Sequence, residues 1–332
     1  MLSPSKNNNK STPNILLLLL LLTPTITGQK TDPVYLVGVP FDIDGDVQQV
    51  PVTVHAGQSP ESAVQHFCRV DHGPRLCGRD TNNVAAITSQ ILTIVKNTIA
   101  SQRERLYPNI VLQEILEAKK VKDATGIIVR LDSNVAPDEG LYLYNLIKQN
   151  NMTRTLEVGM AFGVSTLYIA QAHYDLGHSE TVLPNGNADD TSSQRSHYAI
   201  DPFQSTQWKS IGSFNLMRAN LRDLVQLIEQ ESHFALPQLA MHEKETFQLC
   251  FIDGMHLFDY TLVDFYYSDL LVEEEGYIVF DDAHMPSVQK VIAHALKNRA
   301  YVQIDNGLNN QRVVTLQKQR SDNRRWDYHV DF

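Results

Sequence analysis

Positive charge is in short supply. The 332 residues carry 28 Lys+Arg against 38 Asp+Glu, a formal net charge of −10. No long basic run interrupts that balance, so a general nucleic-acid surface, which needs clustered cations to meet phosphate, is excluded. Long apolar runs are lacking too. The run Ile15 to Leu22 is too short for a comfortable membrane span, which takes about 20 residues. Cysteine is scarce: the chain has three, which lends only weak support to a secretory route. Cys68 and Cys77 flank the turn-like His72-Gly73-Pro74 and are close enough in sequence to pair, whereas Cys250 reads as a small core residue of an apolar strand. The dinucleotide fingerprint G-x-G-x-x-G is also missing, which disfavours a nicotinamide oxidoreductase.

What is present begins with a targeting pattern. Met1 to Lys30 contains Lys6 and Lys10 but no acid. The apolar run follows, then the small residues of Thr23-Pro-Thr-Ile-Thr-Gly28. That order makes residues 1–28 a secretory signal peptide, with an uncleaved anchor or an organelle transit segment as alternatives. The chain is thus expected in the secretory pathway, at a membrane only if the segment is kept as an anchor. Asn151-Met-Thr153 is a formal glycosylation sequon abutting a core strand.

Residues 29–105 read as a small N-terminal accessory α/β unit. Strand character runs over Val34–Ile43 and Val50–Val54, separated by Asp44-Gly45-Asp46. A helix start follows at Ser59-Pro60-Glu61, and a second helix at about 83–102 carries Val84, Ile87, Ile91, Ile94 and Val95 on one face. No catalytic constellation is visible there. Over residues 106–332 helices and strands alternate. Helices are expected at 109–122 and 137–149, and strands at 154–158, 198–201, 225–228, 247–253, 277–281, 302–305 and 312–317. This is an α/β, doubly wound, mostly parallel seven-stranded sheet with ligands at the carboxyl ends of its strands. Asn306–Asn310 is too short for a crossover, so the last strand runs antiparallel. The polar stretch Tyr174–Arg195 reads as a surface insertion or lid.

The segment Thr155-Leu-Glu-Val-Gly-Met-Ala-Phe-Gly-Val-Ser-Thr-Leu167 reads as strand, glycine loop and helix. That arrangement brings backbone N–H groups and a helix N-terminus up to a ligand. Its spacing is G-x-x-x-G, with Ala161 between Gly159 and Gly163, and an acid, Glu157, precedes the first glycine. A carboxylate there repels a diphosphate and suits a ligand with positive charge, such as an ammonium or a sulfonium. Asp201-Pro202 ends the next strand, Glu231-Ser232 follows the third, Asp253-Gly-Met-His256 the fourth and Asp281-Asp282-Ala-His284 the fifth. Trp208 and Phe203 are candidate pocket walls or packing residues.

From Asp138 to Leu316 the chain resembles the class I S-adenosylmethionine-dependent methyltransferases, in the branch of the catechol, caffeoyl-CoA and macrolide-sugar O-methyltransferases. The resemblance rests on six motifs in order: Asp138-Glu139-Gly140 with Leu143, the Leu-Glu-Val-Gly loop, Ile200-Asp201-Pro202, Glu231-Ser232 with Leu236-Pro237-Gln238-Leu239, Phe251-Ile252-Asp253-Gly254, and Gly276-Tyr-Ile-Val-Phe-Asp281-Asp282. It implies a Rossmann-like fold. It implies that Glu157 and the backbone from Gly159 through Ala161 to Gly163 hold the methionine part of S-adenosyl-L-methionine. Ser165 would bond its carboxylate, Asp201 the ribose, Ser232 the adenine edge, with Asp253 completing the site. Asp253, Asp281 and Asp282 match the positions of metal ligands, for Mg²⁺ or another divalent cation; the alternative is that Asp281-Asp282 cap the next helix. His256 is the candidate base beside Asp253, with His284 second to it. The expected partner is a small hydroxylated acceptor, and a homodimer is a candidate assembly. Two other readings stay open: a metal-independent N- or protein methyltransferase, and a non-catalytic protein that keeps the fold.

Overall fold

The computed structural model describes residues 35–43, 46–55, 58–71, 76–77, 81–177, 196–242, 246–308 and 311–332. The leading segment 1–28 and positions 178–195 of the polar insertion lie outside them. The chain divides into two compact units, Met1–Arg105 and Leu106–Phe332.

In the first unit β1 (Tyr35–Ile43) pairs antiparallel with β2 (Asp46–Val54). Helix α1 (Pro60–His66) starts where Ser59 Oγ accepts the Ser62 N–H at 3.1 Å, with Pro60 at the tolerated first turn. After a π-helical turn at Phe67–Asp71, helix α2 runs over Thr81–Leu106. Val37, Val39, Val52, Val64, Ile91 and Val95 form its core. Cys68 and Cys77 are joined in a disulfide with Cα atoms 5.6 Å apart.

The second unit opens with α3 (Ile110–Ala118), capped by Asn109 Oδ1 on the Leu112 N–H at 2.9 Å. The expected helix to residue 122 stops early. Lys119 turns left-handed at φ 51°, and a short hairpin of β3 (Lys120–Lys122) and β4 (Ile128–Arg130) follows. Asp123 Oδ1 organises that turn by accepting from the N–H groups of Thr125 and Ile127. Helix α4 (Pro137–Gln149) begins with Glu139 Oε2 accepting the Ala136 N–H at 2.7 Å.

The main sheet has seven strands: β5 (Thr155–Val158), β6 (His197–Ile200), β7 (Val225–Ile228), β8 (Phe247–Ile252), β9 (Val272–Phe280), β10 (Tyr301–Ile304) and β11 (Val314–Lys318). Their spatial order is β10-β11-β9-β8-β5-β6-β7. Strands β5 to β9 pair in parallel, while β11 is antiparallel to both β9 and β10. The sheet is thus the doubly wound, mostly parallel one expected, with its last strand reversed. Helices α5 (Val164–Asp175), α6 (Ile211–Arg218), α7 (Ser232–His242), α8 (Phe258–Leu271) and α9 (Pro286–Asn298) connect the strands. Alternate residues of β8 feed two cores. Leu249 and Phe251 join Leu143, Ile147, Leu167 and Val279, whereas Cys250 and Ile252 join Leu156, Ile278, Phe280 and Val291. A sheet buried on both faces needs such near-continuous apolar strands. The chain leaves β5 for β6 and β7 on one side, then crosses back to β8, so the crevice opens at the carboxyl edge of β5 and β8. Among the described residues no helix is long and apolar enough to cross a membrane.

Candidate active site

The strand ends meet at one edge. Hydrogen bonds continue the ladder one residue past each strand: Gly159 N to Ile200 O, Asp201 N to Ile228 O, Asp253 N to Val158 O and Asp281 N to Ile252 O, at 2.8–3.1 Å. Glu157, Gly159, Asp201, Asp253 and Asp281 therefore line one rim. Gly159 sits at φ 95°, and a Cβ there would lie 2.1 Å from the Asp253 carbonyl oxygen. Only glycine permits this close approach of the β5 and β8 ends. Gly163 at φ 79° leads into α5, whose first turn carries the buried Ser165. The first N–H groups of a helix have no partner within it and can serve an anionic group.

Glu157 is fully buried, at the end of a polar chain that crosses the interior. Its Oε2 accepts from Thr166 Oγ1 at 2.6 Å and lies 3.3 Å from His197 Nε2. A carboxylate can only accept, so His197 carries its proton on Nε2. Thr155 Oγ1 lies 2.9 Å from His197 Nδ1 and 2.8 Å from His173 Nε2, within hydrogen-bonding distance of both rings. The second carboxylate oxygen, Oε1, is buried with no hydrogen-bond partner. An orphaned acceptor of this kind is costly alone and fits a bound ammonium or sulfonium. The cofactor's methionine end therefore fits the residues present. His173 and His197 carry no signal in the sequence. Only the β5–β6 register, which sets Thr155 opposite His197 and Glu157 opposite Ala199, joins them.

Asp201 is engaged by the chain itself. Its Oδ2 accepts the N–H groups of Met160 and Ala161 at 3.1 and 2.7 Å, and Gln204 Nε2 at 3.2 Å. Its Oδ1 takes the Phe203 N–H at 2.8 Å. The carboxylate thus clamps the glycine loop, and Ala161 is held left-handed at φ 47°. Ser232 opens α7, and burial pushes the Asp264 carboxyl up to about 6 while Ser232 acts to lower it. Trp208 packs edge-on against Phe162 at 5.0 Å, while Phe203 is exposed.

At the other end of the rim, acids crowd together. Burial first, then the charges of Asp281, Glu157 and Asp282, hold Asp253 well above the carboxylate range. Burial also raises Asp281, and it raises Glu139 to about 7. Asp282 goes the other way, lowered chiefly by its bond to His256. Its Oδ2 lies 3.1 Å from His256 Nε2, and its Oδ1 lies 3.7 Å from His284 Nδ1. Asp282 stands at φ 45°, a conformation costly for a residue with a Cβ. Helix α9 is capped without either acid: its N-cap is Met285, and no side chain bonds there.

Asp253, Asp281 and Asp282 do not converge as ligands of an ion. Arg312, which the sequence pattern presents only as the start of a strand, lies among them. Its Nη2 is 2.9 Å from Asp282 Oδ1 and 3.8 Å from Asp281 Oδ2, and its Nε is 3.1 Å from Glu139 Oε1. The Asp281 charge is one of those that raise Asp253, and Asp281 Oδ1 is buried with no hydrogen-bond partner. Among the described residues no group of three His, Cys, Asp or Glu side chains is arranged to hold a metal. The arrangement fits a guanidinium, not a divalent cation.

Residues 156–283 match the methyltransferase domain family. Catechol O-methyltransferase B of Danio rerio is 24% identical over 220 residues, covering 63% of this chain and 75% of that protein. Among solved structures, an O-methyltransferase from Bacillus cereus in complex with SAH is 19% identical. It covers 63% of this chain and 91% of that one, with a TM-score of 0.44. The O-methyltransferase TomG from Streptomyces achromogenes, in complex with SAM, is 19% identical. It covers 57% and 83%, with a TM-score of 0.42.

Proposed function

We propose that this S-adenosylmethionine-dependent methyltransferase delivers its methyl group to the hydroxyl of a small acceptor, and that His256 is the base. The observation that carries the reading is the His256–Asp282 pair at the end of β8 and β9. It stands on the same rim as the orphaned Glu157 oxygen.

Asp282 Oδ2 lies 3.1 Å from His256 Nε2, which leaves Nδ1 for the acceptor on a partly exposed ring. Nδ1 is the atom that takes the hydroxyl proton, and Asp282 steadies the imidazolium that results. The loop that presents His256 is braced twice: Ser287 Oγ donates to the His256 carbonyl at 2.5 Å, and Thr261 Oγ1 to the Met255 carbonyl at 3.2 Å. Glu157 and the Gly159–Gly163 backbone would bind the methionine end, Ser165 its carboxylate and Ser232 the adenine edge. Asp201 would keep the loop closed under the ribose. The bound cofactor supplies a methyl on a sulfonium: the C–S bond breaks as the C–O bond forms, and its electron pair stays on sulfur. No step is routed through a divalent cation, because Arg312 stands among Asp253, Asp281 and Asp282.

The leading apolar segment and the Cys68–Cys77 disulfide support a secretory location, since disulfides persist in oxidising compartments. Calorimetric titration with S-adenosylmethionine, followed by methyl transfer to a panel of catechols and sugars, tests the assignment. Saturable binding with transfer to oxygen is expected. No heat at high ligand would remove the assignment, and transfer only to amines would replace oxygen by nitrogen.

A further inference from the structure

The crowded acids already hold a cation that belongs to the chain. Strand β11 pairs antiparallel with β9, with Val314 opposite Phe280. Continuing that register sets Arg312 opposite Asp282. The Arg312 carbonyl accepts the Ala283 N–H at 2.7 Å, which fixes its backbone beside the acid loop. From there the guanidinium spans Glu139 at the start of α4 and the two acids after β9. One third of the side chain is exposed. A planar fork with five donors can bridge several carboxylates, which a point charge cannot. Both Asp282 oxygens are then committed, Oδ1 to Arg312 and Oδ2 to His256. Burial works against the Arg312 charge, but Glu139, Asp281 and Asp282 more than restore it.

We propose that Arg312 is a positioning residue that stands where a divalent cation would, holding Asp282 in place for His256, so that methyl transfer proceeds without metal. The inference rests on the reading of this site as an O-methyltransferase. With no ion to polarise the acceptor oxygen, proton removal falls to His256 alone. Charge compensation for the acids comes from the chain and not from the medium.

The test uses the full chain. Wild-type protein is assayed with EDTA and with added Mg²⁺, and is titrated with Mn²⁺ by calorimetry. Arg312→Ala, Arg312→Gln and Arg312→Lys are assayed beside it, each checked by thermal melting. The expected result is unchanged wild-type activity in EDTA and no Mn²⁺ binding. Arg312→Gln should lower kcat about 100-fold while KM for S-adenosylmethionine stays put, with partial rescue in Arg312→Lys. Arg312→Ala, with the fork removed from among four carboxylates, should gain Mn²⁺ binding. Activity lost in EDTA and restored by Mg²⁺, or Mn²⁺ bound by the wild type, would overturn the inference even if every variant unfolded. A folded Arg312→Gln with full kcat would do the same. Failure of the wild type to bind S-adenosylmethionine sinks the underlying reading instead, so the two failures are distinct.

Discussion

The two ends of the rim are organised by opposite means. At the β5–β6 end, Thr155, Glu157, His173 and His197 are all fully buried, and neighbours satisfy every hydrogen bond but the one left at Glu157 Oε1. At the β8–β9 end the working groups are partly open: the side chains of His256, Arg312 and Asp282 are 29%, 33% and 16% exposed. There, excess negative charge is opposed by one guanidinium, and Asp282 is held in a left-handed backbone. On the proposed function, the β5–β6 end is the cofactor's and is a fixed mould, complete except for its ligand's charge; the β8–β9 end is the acceptor's and is a balance of charges that a substrate can enter and disturb. Changes at the first should alter binding, and changes at the second should alter turnover.

The largest break in that contrast is Gly159→Ala, because a Cβ would meet the Asp253 carbonyl at 2.1 Å and the residue would be strained at φ 95°. It should cost about 3 kcal/mol or more of stability and abolish S-adenosylmethionine binding, read by melting and calorimetry. His256→Ala should lower kcat by about 10²–10⁴-fold and leave cofactor affinity intact; a parallel loss of affinity would erase the division between the ends. A smaller effect is expected at the mould. His197→Leu leaves Thr155 and Glu157 without their bridge and should weaken cofactor binding, at a cost of about 1–3 kcal/mol. His197→Gln, which can still donate to Glu157, should recover most of it. Equal loss in both variants would reduce His197 to packing.

The smallest effect is a pH slope. The Glu139 carboxyl is raised by burial to about 7 from an ordinary 4.5. Its folded state therefore keeps a proton that the unfolded chain releases, and stability from this group falls as pH rises from 4.5 through 7. Glu139→Gln should flatten that slope and melt higher than wild type at pH 8, while still capping α4 through its amide oxygen.

Much of this was legible in the sequence. Leu156 to Val158 announce a buried strand, Gly159 and Gly163 a loop, and the acids at positions 201, 253, 281 and 282 fall at strand ends once alternation is read. Three features escaped for physical reasons. The strands β3 and β4 have three residues each and include Lys120, Lys122 and Arg130, too few and too polar for a period to show. The buried chain from His173 to Glu157 exists only through the pairing of β5 with β6, across a 42-residue separation from Thr155 to His197. Arg312 gains its meaning from the reversal of β11, which places it opposite Asp282. Asp253, Asp281 and Asp282 stand at the ends of the expected strands, but their pairing with Arg312 and His256 is set by the β9–β11 register and the loop after β8, which spacing does not carry.

Ala161 in the cofactor loop has a consequence for how the protein can vary. Its left-handed conformation costs a residue with a Cβ about 1 kcal/mol, which glycine avoids. Glycine would also widen the unfolded ensemble and give back a similar amount. Alanine and glycine codons differ by one base, so the two alleles lie a single point mutation apart and close in stability. They differ in stiffness: the methyl narrows the shapes the loop can sample, and its loss would loosen them. Position 161 is therefore a place where the stiffness of the loop can change at nearly constant stability.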